Sequence, residues 1–158
     1  MTELLLNPLK TTHPQGGLPA DAHLEPMAML AACPAYAQTP LVRLPGLARR
    51  LGVGQVLVKD ESKRMGLGSF KALGGVYAVF SVVRARAEAT LGRTLDPADL
   101  VGEEVRAIAS DMHFVCASDG NHGRAVAAGS RLVGAHCSVY LHAGVTEERA
   151  DHIRRQGA

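Results

Sequence analysis

The sequence predicts an α/β fold in which helices flank an open, mainly parallel sheet. Short apolar runs of strand length alternate along the chain with longer segments whose apolar residues recur at helical spacing, which is the pattern of parallel α/β proteins. The composition is ordinary for a globular protein, because 47% of the 158 residues are apolar and 20% are charged. The chain therefore has enough apolar material to bury a core.

The elements expected in the first half of the chain begin near Thr39. They are an extended segment at 41–44, a short helix at 46–52, a buried strand at 55–59 and a long helix at 70–88. The strand is bounded by Gly54 and Asp60, which are residue types that favour turns. Ser69 stands just before the long helix, where a side-chain oxygen can cap free backbone N–H groups.

The second half of the chain repeats the alternation of helix and strand. After a break that ends at Pro97, the expected elements are a helix, a strand at 113–117, a helix at 121–132, a strand at 137–141 and a final helix after Thr146. Pro97 suits the first position of a helix, and Gly134 suits the end of one.

The loops at 60–71 and 117–123 contain the most informative residues. Both follow the carboxyl end of a predicted strand, which is where ligands bind in parallel sheets. We expect the two loops to lie on one edge of a shared sheet or, if the strands belong to two sheets, to face each other across a cleft.

A lysine in the first turn of the long helix is the first candidate functional residue. The helix dipole favours cations at the C-terminus, so the charged form of Lys71 is disfavoured at this position. An uncharged amine is the form that attacks a carbonyl carbon. The structural alternative is a surface lysine at a helix start, which is the commoner situation for any one lysine.

The segment from Ser118 to Gly123 is the second candidate. Small and turn-forming residues connect a strand to a helix there, so backbone N–H groups and the Asn121 amide can face a ligand. The structural alternative is a plain connection in which Asp119 caps the helix. His122 has no second histidine or cysteine at ligand spacing, so no metal site is expected.

Several other functions are disfavoured. Gly66-Leu67-Gly68 lacks the third glycine of a dinucleotide loop, and the order of glycine and lysine does not match a P-loop. The net charge is +2 with both signs interspersed, so no nucleic-acid partner is expected. No apolar run is long enough to cross a membrane. Three cysteines without a CxxC pair favour free thiols in a reducing cytoplasm.

Residues 68–71, Gly-Ser-Phe-Lys, and residues 120–122, Gly-Asn-His, resemble two signature segments of the fold-type II pyridoxal 5′-phosphate (PLP) enzymes. That group includes serine and threonine dehydratases, tryptophan synthase β and cysteine synthase. The resemblance covers residues 36–158, with both segments in the family's order. It implies that PLP is the cofactor and that the partner is a small amino-acid substrate.

The resemblance implies a role for each matching residue. Lys71 corresponds to the lysine that binds PLP covalently. Asn121, with Gly120 beside it, corresponds to the asparagine that contacts the 3′-hydroxyl of PLP. Phe70 either packs on a face of the cofactor ring or is an ordinary core phenylalanine.

A narrower resemblance points to the diaminopropionate ammonia-lyases. It rests on residues 39–41, 58–62, 70–75 and 119–124. In that family an aspartate is implicated as a base for the Cα proton, so Asp119 joins Lys71 as an expected catalytic residue. The implied reaction is α,β-elimination of 2,3-diaminopropionate to pyruvate and ammonia. Gly68-Ser69 is the dehydratase-like form, so a serine/threonine dehydratase-like enzyme is the alternative.

In the family, the glycine-rich phosphate loop and the partner of the pyridine nitrogen lie downstream of the matched segments. The chain is therefore expected to be an N-terminal fragment. Residues 1–35 are expected to be a weakly structured leader, and residues 36–158 the first part of the PLP-dependent catalytic region. The fragment would act when completed by a C-terminal part, or would be an inactive remnant. Full-length members are expected to be homodimers.

Overall fold

The structure is a computed structural model that describes residues 18–158, and the expected α/β class is confirmed. The α-helices are α1 (Leu24–Ala31), α2 (Pro45–Leu51), α3 (Lys71–Leu91), α4 (Glu103–Ala109), α5 (Asn121–Val133) and α6 (Glu147–Arg154). The 3₁₀ turns are Arg64–Gly66 and Pro97–Val101. The strands are β1 (Leu41–Arg43), β2 (Leu57–Lys59), β3 (His113–Ala117) and β4 (His136–Tyr140).

The strands of the described residues form two separate sheets, which is one of the two expected arrangements. Only β3 and β4 are parallel, whereas β1 and β2 form an antiparallel pair. The expectation of a buried strand at 55–59 is wrong, because β2 is shorter and Leu57 is 44% exposed. An apolar run shows that a strand can be covered, but it does not specify which element covers it.

Helices α3 and α5 pack directly against each other, and glycine makes their contact close. A Cβ added to Gly75 would lie 2.4 Å from the Cβ of Ala125, and one added to Gly129 would lie 3.2 Å from the Cα of Val76. Gly75 therefore admits no side chain unless the helices separate. Because the contacts advance along both helices in the same direction, α3 and α5 run parallel, with their first residues at the same end.

The predicted leader contains helix α1 in its described part. Met29 and Leu30 are buried, and Glu25 forms an ion pair with Arg84 of α3 at 3.0 Å. Short helices are stabilised by tertiary packing more than by their own sequence, which explains a helix where the pattern is weak. Residues 1–17 lie outside the described residues, and the boundary at residue 36 stays a prediction.

The remaining elements follow the sequence pattern closely. Strand β3 has the predicted bounds, and Gly134 ends α5 with a left-handed backbone (φ 81°). Pro97 begins a 3₁₀ turn, and the regular helix that follows starts at Glu103. Within residues 18–158, none of the helices combines the length and the apolar composition that crossing a bilayer requires.

Candidate active site

Lys71 is the first residue of α3 and follows a tightly turned loop. Met65, Gly66 and Gly68 in this loop have left-handed backbone, with φ values of 51°, 69° and 70°. The Ser69 hydroxyl accepts a hydrogen bond from the backbone N–H of Lys71 at 3.2 Å, whereas the N-cap position of α3 is occupied by Phe70. Among residues 18–158, no hydrogen bond or ion pair engages the Lys71 amine.

Ser118, and not Asp119, accepts the side-chain hydrogen bonds in the turn from β3 into α5. The Ser118 hydroxyl accepts hydrogen bonds from the backbone N–H groups of Gly123 at 3.0 Å and Gly120 at 3.4 Å. The alternative in which Asp119 caps the helix is therefore wrong. The Asp119 carboxylate has no hydrogen-bond partner within the described chain, and Asn121 stands at the first position of α5.

The two candidate segments meet in one cavity. A space of about 320 Å³ is lined by Lys71, Asp119, Gly120 and Asn121, together with three basic side chains. The segments meet because α3 and α5 run parallel and touch at Gly75 and Ala125, one turn inside each helix. The structure therefore brings together four of the five predicted site residues, and the role of each stays a prediction.

Phe70 lines a second cavity, which Lys71 also borders. This space of about 500 Å³ is further lined by Gly74, Gly75 and His122. Phe70 is 66% exposed, so the alternative of a core phenylalanine is wrong. The exposed Phe70 side chain and Lys71 thus border the same space. In the part of the chain that the structure describes, His122 belongs to no group of three or more side chains placed to hold a metal.

Three basic residues line the first cavity although no site role was predicted for them from the sequence: Arg124 of α5, and Arg149 and His152 of α6. The Nε of Arg124 is buried and has no hydrogen-bond partner between residues 18 and 158. Arg149 and His152 are three residues apart and share one face of α6. The spacing predicts that Arg149 and His152 share a helix face. Only the packing of α6 against α5 shows that this face borders the cavity.

A partly buried ion pair between two residues three positions apart anchors the loop before Lys71. Arg64 is 4% exposed and donates to both carboxylate oxygens of Glu61, at 2.6 and 2.8 Å. It also donates to the Ala37 carbonyl at 2.8 Å. Hydrogen bonds from Arg64 and then Thr39 lower the pKa of Glu61 from 4.5 to about 2. The network ties residues 37–39 to the loop that leads to the site.

The free groups around the first cavity suit a carbonyl-bearing cofactor such as PLP. Lys71 offers a primary amine, and Asn121 offers an amide donor for a ring oxygen. A Cβ added to Gly120 would have nothing within 4 Å, so a ligand can approach the backbone there. The buried Nε of Arg124 is a donor that needs an acceptor. The residues present therefore fit this cofactor.

Comparisons of the sequence with known proteins agree with this fit. Residues 32–158 match the family described as pyridoxal-phosphate dependent enzyme. The chain is 41% identical over 134 residues to the diaminopropionate ammonia-lyase of Salmonella typhimurium, covering 85% of this chain and 33% of that protein. It is 32% identical over 127 residues to a probable D-serine dehydratase of Rhizobium leguminosarum, covering 76% and 29%. The chain thus spans about a third of the length of the curated relatives it matches.

The fold is similar to a solved relative. The crystal structure of Escherichia coli diaminopropionate ammonia lyase in apo form superposes with a TM-score of 0.73 at 37% identity. The similarity covers 84% of this chain and 35% of that one. The same arrangement of helices and strands therefore occurs in a protein described as an ammonia lyase.

Proposed function

Because this chain belongs to the pyridoxal-phosphate dependent enzyme family, we propose that Lys71, Asp119 and Asn121 form part of a site for α,β-elimination. The proposed reaction converts 2,3-diaminopropionate into pyruvate and ammonia. One observation carries the proposal: an amine, a carboxylate and an amide from two distant segments border the same cavity. The chain spans about a third of the length of its relatives. The reaction is therefore proposed for these residues as part of a protein of the relatives' full length.

Four residues of this chain would hold PLP. Lys71 would bind it covalently through the amine, and Asn121 would orient the ring by a hydrogen bond to the 3′-oxygen. Gly120 would allow the ring to approach the backbone, and Phe70 would pack against a ring face. When bound, PLP supplies an electron sink for the electron pair left when the Cα proton departs.

Lys71 and Asp119 would move the Cα proton. Both side chains border the same cavity, and no residue in the described chain engages either of them. A base must reach Cα directly or through one water, which two groups in one cavity can do from different directions. In this proposal Lys71 serves one enantiomer of the substrate and Asp119 serves the other. The β-amino group then leaves, and hydrolysis of the unsaturated product gives pyruvate.

The first test asks whether Lys71 binds the cofactor. The purified chain is mixed with PLP, reduced with borohydride and digested, and the modified peptide is identified by mass spectrometry. We expect modification at Lys71 and an absorption band that Lys71→Ala abolishes. Lys63→Ala is the matched control, because Lys63 is an exposed lysine of the same loop and should leave the band unchanged. A folded chain that shows no band would favour the inactive remnant.

A dehydratase is the second candidate function, favoured by the similarity to a probable D-serine dehydratase. The two candidates differ in the leaving group and in the need for Asp119. Asp119→Asn is tested in a chimera in which this chain replaces the matching third of the Salmonella relative. We expect loss of turnover of at least one enantiomer of 2,3-diaminopropionate, with the PLP band retained. Unchanged rates on both enantiomers, with turnover of serine, would favour the dehydratase.

The proposal also covers the cell compartment, the metabolic role and the oligomeric state of the protein. Cys33, Cys116 and Cys137 are free thiols, which supports a reducing cytoplasm as the setting. The amino-acid substrate supports a role in amino-acid metabolism. We also propose a homodimer on the basis of the family resemblance, and light scattering of the purified protein would reveal a monomer instead.

A further inference from the structure

We propose that Met65 is a positioning residue for Lys71, because its left-handed backbone shapes the loop that holds the first turn of α3. The inference rests on the proposed function, in which the Lys71 amine binds the cofactor, and it deepens that function. Met65 borders neither of the two cavities that Lys71 lines. The inference therefore names a residue outside the site on which the geometry of the site depends.

Met65 has a backbone conformation that residues with a side chain disfavour. Among residues 18–158, it is the one non-glycine residue with a positive φ, at φ 51° and ψ 25°. A Cβ in this region lies too close to the following carbonyl oxygen, so methionine there costs free energy that glycine would not. Such strain persists only where the surrounding structure enforces it. The contacts of Met65 and its neighbours must therefore hold this conformation.

The side chain of Met65 packs against two separate groups of buried apolar residues. The first group is the main core, which includes Val76 and Phe80 of α3. The second group lies at the start of the helix pair and comprises Leu67, Ala72, Ala125 and Ala128. A methionine side chain is flexible and fills irregular gaps, which suits a contact with both groups. Burial of this side chain offsets the strain of the backbone that carries it.

The residues on both sides of Met65 are also fixed. Arg64 is buried, and its guanidinium donates to the Glu61 carboxylate at 2.6 and 2.8 Å and to the Thr39 hydroxyl at 2.7 Å. Leu67 is 3% exposed and packs in the second group, which contains residues of both α3 and α5. The left-handed turn at Met65 therefore connects an anchored arginine to an anchored leucine.

The end of this loop supplies the hydrogen bonds of the first turn of α3. The backbone N–H of Lys71 donates to the Ser69 hydroxyl at 3.2 Å, and that of Ala72 donates to the Ser69 carbonyl at 3.1 Å. The first N–H groups of a helix have no partner within the helix, so their partners must come from the preceding segment. The close contact with α5 is at Gly75, one turn further into the helix. The geometry of the turn that contains Lys71 therefore depends on the loop.

The test measures local opening of the first turn and, separately, binding of PLP. Amide hydrogen exchange is followed by NMR in the 158-residue chain without cofactor, and PLP is then titrated while the absorption band at Lys71 is recorded. We expect Met65→Gly to speed exchange at Ala72 by at least about tenfold more than at Phe80, which lies in the middle of α3. Only chains with an ordered first turn bind PLP well, so the PLP concentration at half of the band should rise at least about threefold.

Met112→Gly is the matched control. Met112 is also a partly buried methionine that packs against the main core, but it has an ordinary backbone and lies between α4 and β3. It should leave the PLP titration and the ratio of exchange at Ala72 and Phe80 unchanged. Met65→Leu keeps an apolar side chain of similar size and should restore both measurements. Met65→Asn keeps a residue that tolerates left-handed backbone and removes the apolar contact, so we expect intermediate values.

Three results would overturn the inference. Met65→Gly could leave exchange at Ala72 unchanged relative to Phe80, or Met112→Gly could have an equal effect. Met65→Leu could also behave as Met65→Gly does, which would show that packing of the side chain does not hold the turn. If Met65→Gly does not fold, Met65→Asn decides the question, because exchange equal to that of the unmodified chain would contradict the role of Met65.

Failure of this inference and failure of the proposed function give different results. Faster exchange at Ala72 in Met65→Gly, with no PLP band in any variant or in the unmodified chain, would refute the proposed function and support the role of Met65 in holding the first turn. A band that forms at the same PLP concentration in Met65→Gly and in the unmodified chain would refute the positioning role alone.

Discussion

The loop before Lys71 and the helix pair that carries the site are held in place by different forces. In residues 36–66, the strands are exposed and the buried ion pair of Arg64 and Glu61 joins the segments. In the helix pair, α3 and α5 are held by apolar packing around the close contact at Gly75. The first region is therefore stabilised mainly by an ion pair, and the second mainly by van der Waals packing.

The difference separates two ways of positioning a catalytic residue. Close apolar packing of α3 against α5 holds Lys71 and Asn121 near each other whatever their charge, because van der Waals packing does not depend on pH. The ion pair holds the loop only while Glu61 is ionised. Added volume should therefore disturb the helix pair, and acid should disturb the loop.

The largest effect is expected from volume added at the helix contact. Gly75→Ala would place a Cβ 2.4 Å from the Cβ of Ala125, so the helices must separate. We expect the free energy of unfolding to fall by about 3 kcal/mol or more, at or above the upper end for overpacked cores. Urea denaturation followed by circular dichroism measures this loss. The PLP band at Lys71 should weaken as well, since its helix moves relative to α5.

Gly74→Ala is the control for this substitution. Gly74 is exposed on the same helix, and a Cβ there would have nothing within 4 Å. Because alanine favours helix over glycine, we expect Gly74→Ala to stabilise the chain by about 0.5–1 kcal/mol. Equal destabilisation by both substitutions would show that the close contact of Gly75 with Ala125 does not decide the outcome.

A smaller effect is expected from acid. The pKa of Glu61 is lowered from 4.5 to about 2, so its contribution to stability is present above pH 4.5 and is lost as the pH falls towards about 2. The effect should be smaller than that of Gly75→Ala, since the hydrogen bond from Arg64 to Ala37 persists.

Tyr36 lies 5.4 Å from the Arg64 guanidinium carbon, and Tyr77 packs against the core, so their NMR ring signals report the two regions separately.

We expect the Tyr36 signals to change at a higher pH than the Tyr77 signals. Arg64→Met should abolish the separate response of Tyr36 to acid, because protonation of Glu61 then no longer breaks an ion pair. If both tyrosines respond together at every pH, the ion pair does not hold the loop independently of the core.

The sequence predicted the site more completely than its surroundings. Lys71, Asp119, Gly120 and Asn121 come together as expected, since both segments begin helices that follow short turns. Arg124, Arg149 and His152 escaped prediction, because a basic residue on a helix is usually solvated and its neighbour is set by packing. The role of Arg64 was not predicted either, because its partners Glu61 and Ala37 come together only in the folded chain.

By itself, the sequence determined the α/β class, most helix and strand positions, the family and the residues expected to react. These properties depend on local periodicity, turn-forming residues and short motifs, all of which act over a few neighbouring positions. Only the tertiary structure decided that β2 stays exposed and that Ser118, not Asp119, accepts hydrogen bonds from the start of α5. It also decided that basic side chains line the cavity, namely Arg124, Arg149 and His152. Those features depend on which surfaces meet, and contacts between residues distant in sequence leave no local pattern.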